Sequence, residues 1–578
     1  MEKVQLTIDG IKVEAKQGES VLSAAKRADI HIPTLCYLKE TNEIGACRLC
    51  IVDIEGQRNL QPACVFPVSD GMNVKTSTNQ LRKARKNILK LLLSNHDREC
   101  LSCFRNKSCE LQDLAEEFNI DKVPFESNRE SHTYDDNSPS VVRDTSKCVL
   151  CGRCISVCRD VQKTDVLDFT NRGIDTQVTP AFNASLTETN CISCGQCIMA
   201  CPVGALKEKE DMQKVWDAIE DDDIHVVVQT APAIRTALGE EFGLPIGTRV
   251  TGKMVTALRR MGFSKVFDTN FAADLTIMEE GYELLNRLES GENLPLITSC
   301  SPGWINYCEI MAPKFIDNLS SCKSPHQMFG AIVKTYYAEK NNIDPNKIFV
   351  ASVMPCTAKK SEAAREENQV NGLRDVDAVI TTRELAKMIK QSGIDFNKLS
   401  DGEFDNPLGE YSGAAAIFGA TGGVMEAALR TVADVIEEKD MDPVEYKEVR
   451  GIKGVKEATV NLGGKEINIA VAHGTKMAQE LLDKIDAGEK QYHFVEVMGC
   501  SGGCVTGGGQ PHVPSKITDI DVRVERAKVL YKEDTIQKVR KSHENPFIQK
   551  LYKEFLEAPN SEKAHKLLHT HFAPRSKG

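Results

Sequence analysis

The sequence predicts a multidomain protein in which small, cysteine-rich α+β domains precede a larger α/β domain. Three observations support this fold class. The chain has 578 residues, which is too long for a single hydrophobic core. Fifteen of its 21 cysteines lie before residue 202, many of them in repeated CxxC spacings. From about residue 224 onward, short apolar runs alternate with helical patterns, as in an α/β domain.

Composition and charge exclude several classes of function. The chain is 41% hydrophobic and 27% charged, which is ordinary for a globular protein, and its net charge of -11 argues against a general nucleic-acid binder. It has no run of 18 or more apolar residues, so we expect no membrane span. The first residues, MEKVQLTIDG, lack the pattern of a signal peptide, and we therefore expect a cytoplasmic protein.

The cysteine spacing favours metal ligation over disulfide bonds. Disulfides are typical of exported chains, and no export signal is seen. Thiolates at this density suit iron–sulfur clusters or zinc.

The first domain is predicted to span residues 1–80. The stretch KVQLTIDGIKVEA alternates apolar and polar residues around a DG turn, which predicts a β-hairpin, and GESVLSAAKRADI predicts a short helix. The order strand, strand, helix, cysteine loop resembles a plant-type [2Fe–2S] ferredoxin of the β-grasp kind, in the version found in respiratory complex I and certain hydrogenases. The candidate cluster ligands are Cys36, Cys47, Cys50 and Cys64. A zinc site is the alternative.

A second, small helical domain is predicted for residues 81–125. A basic helix, LRKARKNILKLLL, precedes the stretch HDRECLSCFRNKSC. Its candidate ligands are His96, Cys100, Cys103 and Cys109. They resemble the His/Cys3 [4Fe–4S] site of the same two families, and spacing alone leaves zinc open. The position directly after a [2Fe–2S] domain favours the iron–sulfur interpretation.

An internal repeat predicts a bacterial two-cluster ferredoxin domain at residues 138–208. CVLCGRCISVC and CISCGQCIMACP each follow the pattern C-x2-C-x2-C-x3-C, and the second ends in the proline typical of that fold. In this fold the fourth cysteine of each run binds the other cluster. One [4Fe–4S] cluster is therefore expected on Cys148, Cys151, Cys154 and Cys201, and the other on Cys191, Cys194, Cys197 and Cys158. Four clusters in series indicate an electron-transfer chain that serves a catalyst.

That catalyst is predicted in residues 209–578. HVVVQTAP, KVFDTN, LPLITSC, KIFVASVMPC, DAVITT and YHFVEVMGC are predicted to be buried strands that end in functional loops, with TGKMVTALRRMGF and TTRELAKMIKQSG as helices. Three of the loops carry Cys300, Cys356, and the pair Cys500 and Cys504. Glycines around the last pair allow close approach of the backbone to a bulky cofactor. Cys308 and Cys322, in helix-like surroundings, are predicted to be ordinary buried thiols.

The three loops TSCSPGW, MPCTAKK and EVMGCSGGCVTGGGQP resemble the signature motifs of the [FeFe]-hydrogenases, and the cluster array resembles the large clostridial type. The resemblance covers essentially the whole chain. It implies an H-cluster, in which a [4Fe–4S] cubane is joined through one cysteine to a two-iron unit with CO, cyanide and an azadithiolate bridge. It also implies reversible conversion of protons plus electrons to H2.

The resemblance also implies roles for individual residues. Cys356, Cys500 and Cys504 match cubane ligands, Cys504 being the one that bridges to the two-iron unit. Lys359 matches a lysine that contacts a cyanide, and Met354 and Met498 match methionines packed against the two-iron unit. The proton path is matched by Glu280, Glu283, Arg287 and Ser320. Without the family, these charges at helical spacing would indicate only a solvated helix face.

The first loop departs from the best-known members of the family. They have two adjacent cysteines, a proton relay and then a cubane ligand. Here Cys300 matches the relay and Ser301 falls at the ligand position. Ser301 could bind iron as an alkoxide, Cys300 could bind it instead, or one iron could be open. Ala233 likewise replaces a serine near the two-iron unit, which should tune the cofactor.

The expected electron carrier is ferredoxin or a flavin-bearing, NAD(P)-reacting partner, including one of the electron-bifurcating kind. The stretch GATGG lacks the dinucleotide-binding pattern, so pyridine-nucleotide chemistry belongs to a partner. Maturation proteins have to supply the two-iron unit. The alternatives are a non-catalytic electron-transfer subunit resembling complex I, a hydrogenase-related iron–sulfur assembly protein, and an H2 sensor with a modified H-cluster site.

Overall fold

The N-terminal domain is a five-stranded sheet with one helix. The structure, a computed structural model, describes residues 3–127, 132–437, 445–513 and 520–575. The strands are β1 (Lys3–Ile8), β2 (Ile11–Lys16), β3 (Ile51–Ile54), β4 (Gln61–Pro62) and β5 (Asn73–Lys75), and the helix is α1 (Val21–Arg27). The order β2-β1-β5-β3-β4 includes the predicted hairpin, which turns at Asp9 and Gly10 with positive φ at both residues.

Two helices, α2 (Asn79–Ser94) and α3 (Glu110–Glu117), form the next unit. The side chain of Thr78 caps α2 by accepting a hydrogen bond from the amide of Leu81. The predicted basic helix is confirmed as α2. Its Leu89 packs with Leu111 and Leu114 of α3 in one core.

The repeat region contains matched pairs of short helices and strands. Its elements are β6 (Tyr134–Asp135), β7 (Val141–Asp144), α4 (Arg153–Ser156), β8 (Asp168–Thr170), β9 (Gln177–Thr179), α5 (Gln196–Ala200) and β10 (Leu206–Glu208). β7 is the central strand of a sheet with the order β10-β7-β6. Gly152 and Gly195 precede α4 and α5 with φ of 75° and 68°, so the two cysteine motifs enter their helices through the same left-handed turn.

The C-terminal region contains two four-stranded sheets. The first has the order β12-β11-β14-β17 and is parallel throughout; the second has the order β13-β20-β19-β18 and is parallel except for the last pair. The strands, with a small hairpin of β15 and β16, are β11 (His225–Thr230), β12 (Lys265–Asp268), β13 (Leu296–Thr298), β14 (Ile348–Met354), β15 (Gln369–Val370), β16 (Leu373–Arg374), β17 (Ala378–Thr381), β18 (Val455–Leu462), β19 (Lys465–His473) and β20 (Phe494–Met498). All six predicted strands are confirmed.

Helices cover both sheets. They are α6 (Met212–Glu220), α7 (Thr251–Arg260), α8 (Asn270–Ser290), α9 (Pro302–Met311), α10 (Pro325–Ile332), α11 (Ala338–Asn341), α12 (Ala358–Ala363), α13 (Thr382–Gln391), α14 (Gly413–Ala416), α15 (Gly423–Glu437), α16 (Thr475–Asp486), α17 (Val522–Ile536), α18 (Pro546–Leu551) and α19 (Glu562–Leu568). α8 joins the two cores, because its Phe271 and Leu275 pack in one and its Ile277 and Leu284 in the other. Within the described part of the chain, no helix is long and apolar enough to span a bilayer.

Two details differ from the sequence interpretation. The sequence predicts a helix-like setting for Cys322, but this residue forms an isolated bridge with His569, and only Cys308 lies in a helix. Both thiols are buried, as predicted. The long hairpin of β18 and β19 was not predicted, although its outer strand alternates between buried and exposed positions, and this segment has no functional motif.

Candidate active site

The loops that follow β13, β14 and β20 meet at one cavity between the two sheets. Its volume is about 660 Å³. The cysteines of all three motifs line it, and so do both predicted methionines. The predicted site residues among its lining are Cys300, Ser301, Met354, Cys356, Lys359, Met498, Cys500 and Cys504. Convergence at the carboxyl ends of strands is what the α/β pattern predicts.

Cys300 and Ser301 face different parts of this cavity. The Cys300 thiol lies beside the thiol of Cys504 and near the Lys359 ammonium, and the contact with Cys504 together with burial raises the pKa of Cys300. Ser301 Oγ accepts a hydrogen bond of 3.3 Å from the amide of Gly499, directly before Cys500. Ala233 does not line the cavity: Ala231 and Pro232 do, and Ala233 is fully buried behind them.

Glycines let the third loop pack against its neighbours. A Cβ at Gly507 would lie 2.1 Å from the carbonyl oxygen of Pro355, and one at Gly508 would lie 2.3 Å from that of Cys194. Such distances exclude any side chain. The loop that carries Cys504 is therefore fixed against both the second cysteine loop and the repeat region.

A chain of acidic residues approaches the cavity along α8. The hydroxyl of Thr298 donates to Glu280 over 2.6 Å, that of Ser320 donates to Glu283 over 2.9 Å, and Arg287 donates to Glu283 over 2.7 Å. The hydrogen bond of the Ser320 hydroxyl goes to Glu283, and Ser320 also lies near Glu280. Glu280 is only 3% exposed, and burial raises its pKa to about 7, although the Thr298 hydroxyl opposes the shift. The solvated-face alternative for Glu280 is therefore wrong.

Lys359 belongs to a second ionic group at the cavity, and the sequence interpretation missed its other two members, Glu362 and His326. Lys359 donates to Glu362 over 2.9 Å and to Ser324 over 2.8 Å, and His326 makes a short hydrogen bond to the same carboxylate. Burial opposes ionisation of Glu362, but Lys359 and His326 lower its pKa to about 2. Burial and the nearby Lys359 lower the pKa of His326 to about 4, so its imidazole is neutral.

The repeat region encloses two further thiol-lined cavities of about 450 Å³ each. The first is lined by Cys148, Cys151, Cys154 and Cys201, and the second by Cys158, Cys191, Cys194 and Cys197. Each cavity thus contains three cysteines of one motif and the fourth of the other, the grouping that the two-cluster pattern predicts.

The N-terminal thiols lie in two close pairs. Cys50 and Cys64 have their sulfur atoms 3.3 Å apart, and the backbone amide of Cys47 donates to the sulfur of Cys36 over 3.5 Å. In the second domain, Cys103 lies close enough to Cys109 to raise its pKa slightly, behind the larger effect of burial. His96 is largely buried, and its Nδ1 has no hydrogen-bond partner among the described residues. Burial lowers the pKa of His96, which keeps the imidazole neutral, as a metal ligand must be.

Two amide side chains, for which no sequence pattern suggested a role, connect these sites. Asn42 Nδ2 donates to the carbonyl of Cys36 over 2.6 Å and to that of Cys151 over 3.1 Å. Gln196 Nε2 donates to the sulfur of Cys500 over 3.2 Å. These bonds place the N-terminal domain against the first repeat cavity, and the second repeat motif against the catalytic cavity.

The donor set fits iron–sulfur clusters and an H-cluster. All these cysteines are free thiols, so none is used in a disulfide. The central cavity has thiols from three loops, a buried ammonium and two methionines, and the backbone around it approaches too closely for ordinary side chains. Soft thiolate donors at converging loops suit iron clusters.

Family models match the chain from end to end. Residues 224–508 match the C-terminal domain of the iron only hydrogenase large subunit, and residues 520–575 match the iron hydrogenase small subunit. Residues 1–79 match a 2Fe-2S cluster binding domain, 85–124 an iron–sulfur binding region of NADH-ubiquinone oxidoreductase-G, and 147–205 a 4Fe-4S dicluster domain.

Individual proteins show the same likeness. The chain is 50% identical to the NADP-reducing hydrogenase subunit HndD of Solidesulfovibrio fructosivorans, over 100% of both chains. It is 44% identical to iron hydrogenase 1 of Clostridium pasteurianum, over 98% of this chain and 99% of that protein. A solved structure of an apo variant of the [FeFe]-hydrogenase HydA1 from Chlamydomonas reinhardtii covers 63% of this chain and 99% of its own, with a TM-score of 0.57 and 42% identity.

Proposed function

The chain belongs to the [FeFe]-hydrogenase family and interconverts protons plus electrons and H2, and from this premise we propose how its own residues divide the work. The observation that supports the proposal best is the convergence of Cys300, Cys356, Cys500 and Cys504 at one cavity beside a buried acidic chain. The H-cluster, when bound, supplies the metal centre at which H2 is split or formed.

Cys356, Cys500 and Cys504 hold the cubane in this proposal. Lys359 forms an ion pair of 2.9 Å with Glu362 and lines the cavity, where its amino group suits an anionic ligand such as cyanide. Met354 and Met498 are 3% and 1% exposed, so their thioethers present apolar, polarisable surface that excludes water from the cavity.

We assign the fourth cubane ligand to Ser301 and the proton relay to Cys300. Ser301 Oγ lies against Gly499, next to the ligand Cys500. Cys300 lies on the side of Lys359 and Cys504, the bridging position. This division of roles agrees with the register of the family motif, in which Cys300 matches the relay and Ser301 matches the ligand.

Protons follow the acidic chain. Arg287 positions Glu283, Ser320 is hydrogen-bonded to Glu283 and lies near Glu280, and Thr298 connects Glu280 with the loop that carries Cys300. Glu280, with a pKa of about 7, can both take and give a proton near neutral pH.

Electrons follow the thiol-lined sites through the amide contacts. Cys36, Cys47, Cys50 and Cys64 would hold the [2Fe–2S] cluster, and Asn42 joins their loop to Cys151 of the first repeat site. Gln196 of the second repeat motif joins the second repeat site to Cys500. His96, Cys100, Cys103 and Cys109 would hold a further cluster near the first repeat site, because Arg153 of α4 forms an ion pair of 2.8 Å with Glu110.

The external carrier is proposed to be a flavoprotein subunit that reacts with NADP. The support is the 50% identical relative, which is an NADP-reducing hydrogenase subunit. Ferredoxin is the second candidate, since the 44% identical relative is described simply as an iron hydrogenase. The purified chain can be tested under H2 with each carrier. Direct reduction of ferredoxin would favour ferredoxin as the carrier. Reduction of NADP only after a flavoprotein is added would favour the flavoprotein subunit.

The deciding experiment is infrared spectroscopy of the anaerobically matured protein under argon and then under H2. Bands of metal-bound CO and cyanide that shift under H2 are expected. Their absence after verified maturation would refute a functional H-cluster in this cavity. Cys300→Ala then tests the assignment: the cubane signal should persist in electron paramagnetic resonance (EPR) while turnover is lost. Loss of the cubane itself would make Cys300 the ligand.

A further inference from the structure

The two repeat cavities differ in their charged lining. Arg143 and Asp144 line the first cavity, where Asp144 forms an ion pair of 2.5 Å with Lys147. β7 passes both of them, and its residues Val141 and Arg143 lie on the same side of the strand. Val141 lines the second cavity and Arg143 the first. Among the described residues, no lysine or arginine lines the second cavity. The two cysteine motifs are nearly the same in sequence, but the two cavities that they line have different electrostatic surroundings.

Arg143 is buried without a hydrogen bond. It is 2% exposed, and among the described residues its Nε, Nη1 and Nη2 have no partner. The nearest carboxylate oxygen, Oδ2 of Asp135, is 3.7 Å from Nη2, beyond hydrogen-bond distance. Asp135 is already engaged by the hydroxyl of Ser185 and the amide of Leu186. A guanidinium in this state is costly unless something in the cavity accepts its donors.

The thiols beside Arg143 identify what that acceptor would be. Its guanidinium interacts electrostatically with Cys148 and Cys154 of the first cavity. The ligand Cys201 lies beside a second buried cation, Arg105, whose Nε and Nη1 also have no partner in the described ranges. In the second cavity, Cys158 instead receives neutral contacts, from the amide of Val166 at 3.4 Å and the hydroxyl of Thr164 at 3.1 Å.

We infer that Arg143 hydrogen-bonds the sulfur atoms of the [4Fe–4S] cluster on Cys148, Cys151, Cys154 and Cys201, and holds its reduction potential above that of the second repeat cluster. Adding an electron makes a cluster more negative, so a fixed cation and its N–H donors stabilise the reduced state. The N-terminal domain and Glu110 both contact this repeat motif, so a raised potential at this site would favour electrons that arrive from either side. Arg143 acts as a positioning residue that tunes the cluster. The inference depends on the proposed function only for the presence of this cluster.

The test is a redox-poised, low-temperature EPR titration of the matured full chain. The signal of the first cluster is identified as the one that changes in Cys154→Ser. In Arg143→Met the reduction equilibrium constant of that signal should fall by about tenfold, which is about 59 mV for one electron. Arg143→Lys should retain part of the effect, because it keeps the charge and loses the planar donors.

A charge-neutral control is available at the same cluster. Arg153 is equally buried, but both of its terminal nitrogens bind Glu110, at 2.8 and 2.9 Å. Arg153→Met combined with Glu110→Gln removes a paired cation and should change the same constant by less than about twofold. An equal change in the control and in Arg143→Met would overturn the inference, and so would no change in Arg143→Met.

A direct readout covers the case in which Arg143→Met fails to bind the cluster. Protein labelled with ¹⁵N-arginine should show a nitrogen coupling to the reduced first cluster in electron-nuclear double resonance, and this coupling should weaken in Arg143→Lys. No arginine coupling in a wild type that holds the cluster would refute the inference alone. A wild type without the cluster would refute the ligand assignment first and the inference with it.

Discussion

The acidic and the basic sides of the catalytic cavity each present a buried glutamate, but the two behave in opposite ways. Among the residues that the structure describes, no cation hydrogen-bonds Glu280, and burial raises its pKa to about 7. Glu362 is bound by Lys359 and by His326, and its pKa falls to about 2 despite burial. A carboxyl near pH 7 can exchange a proton during turnover, whereas one at about 2 is a permanent anion. The hydrogen-bond partners of each glutamate therefore determine its role: Glu280 can carry protons, and Glu362 is a fixed counter-charge.

The largest effect is expected from Glu280→Gln. The amide keeps the shape and a hydrogen bond to Thr298 but cannot carry a proton, so H2 turnover should fall by about 100-fold or more. The assay is H2 production with a strong artificial reductant, normalised to the infrared intensity of the cofactor. A variant that keeps more than half of the wild-type rate would remove Glu280 from the proton route.

Glu362→Gln should mainly lower the stability of the folded catalytic region, and affect the reaction only as a consequence. It leaves the Lys359 ammonium buried without its counter-charge, which costs about 3 kcal/mol. Calorimetry should show a lower unfolding temperature for the catalytic region. Glu362→Gln combined with Lys359→Met serves as the control, because restoring neutrality should recover part of the loss. An unchanged transition in the single variant would contradict a structural role for this pair.

Thr298→Val tests the proton-carrying role of Glu280 through the pH dependence of activity. The Thr298 hydroxyl stabilises the ionised form of Glu280, so its removal should raise the pKa of Glu280 further. The rate of H2 oxidation, which needs the ionised carboxylate, should fall below about pH 7 in the wild type. In the variant this inflection should move upward by about one pH unit. Movement downward, or none, would contradict control by Glu280.

The smallest effect is expected for His326→Gln, which should change how the stability of the folded protein declines at acid pH. His326 has a folded-state pKa of about 4 and an unfolded value of about 6.5, so the unfolded chain binds the extra proton between these pH values. The contribution of His326 to stability is complete above pH 6.5 and declines as the pH falls toward 4. The contribution of Glu362 declines at lower pH, between about 4.5 and 2. His326→Gln should show a shallower decline in melting temperature between pH 6.5 and 5. A decline as steep as that of the wild type would exclude the histidine as its source.

The sequence predicted the strands, the thiol-rich loops and the grouping of cysteines into sites, because cluster ligation imposes strict spacing along the chain. It did not predict Glu362, His326 or Asn42, because their roles arise from contacts between distant segments: Asn42 meets Cys151 across 109 positions. The family resemblance placed Glu280 in the proton path, whereas helical spacing alone favoured a solvated face, because the burial of Glu280 depends on the packing of α8 between two cores. The distinct roles of Cys300 and Ser301 remain a prediction, since the order of the two residues alone leaves both open.

The C-terminal helices show what covalent continuity adds. Residues 520–575 match a small-subunit family model, yet here they are joined to the large-subunit region. Arg526 of α17 donates to the carbonyl of Val505 over 2.8 Å, one residue from Cys504, and to Glu240 over 2.8 Å. A tethered segment experiences a local concentration on the order of millimolar, whatever the amount of protein present. Stoichiometry between the two regions is consequently fixed at synthesis, and dilution cannot remove the element that holds the Cys504 loop.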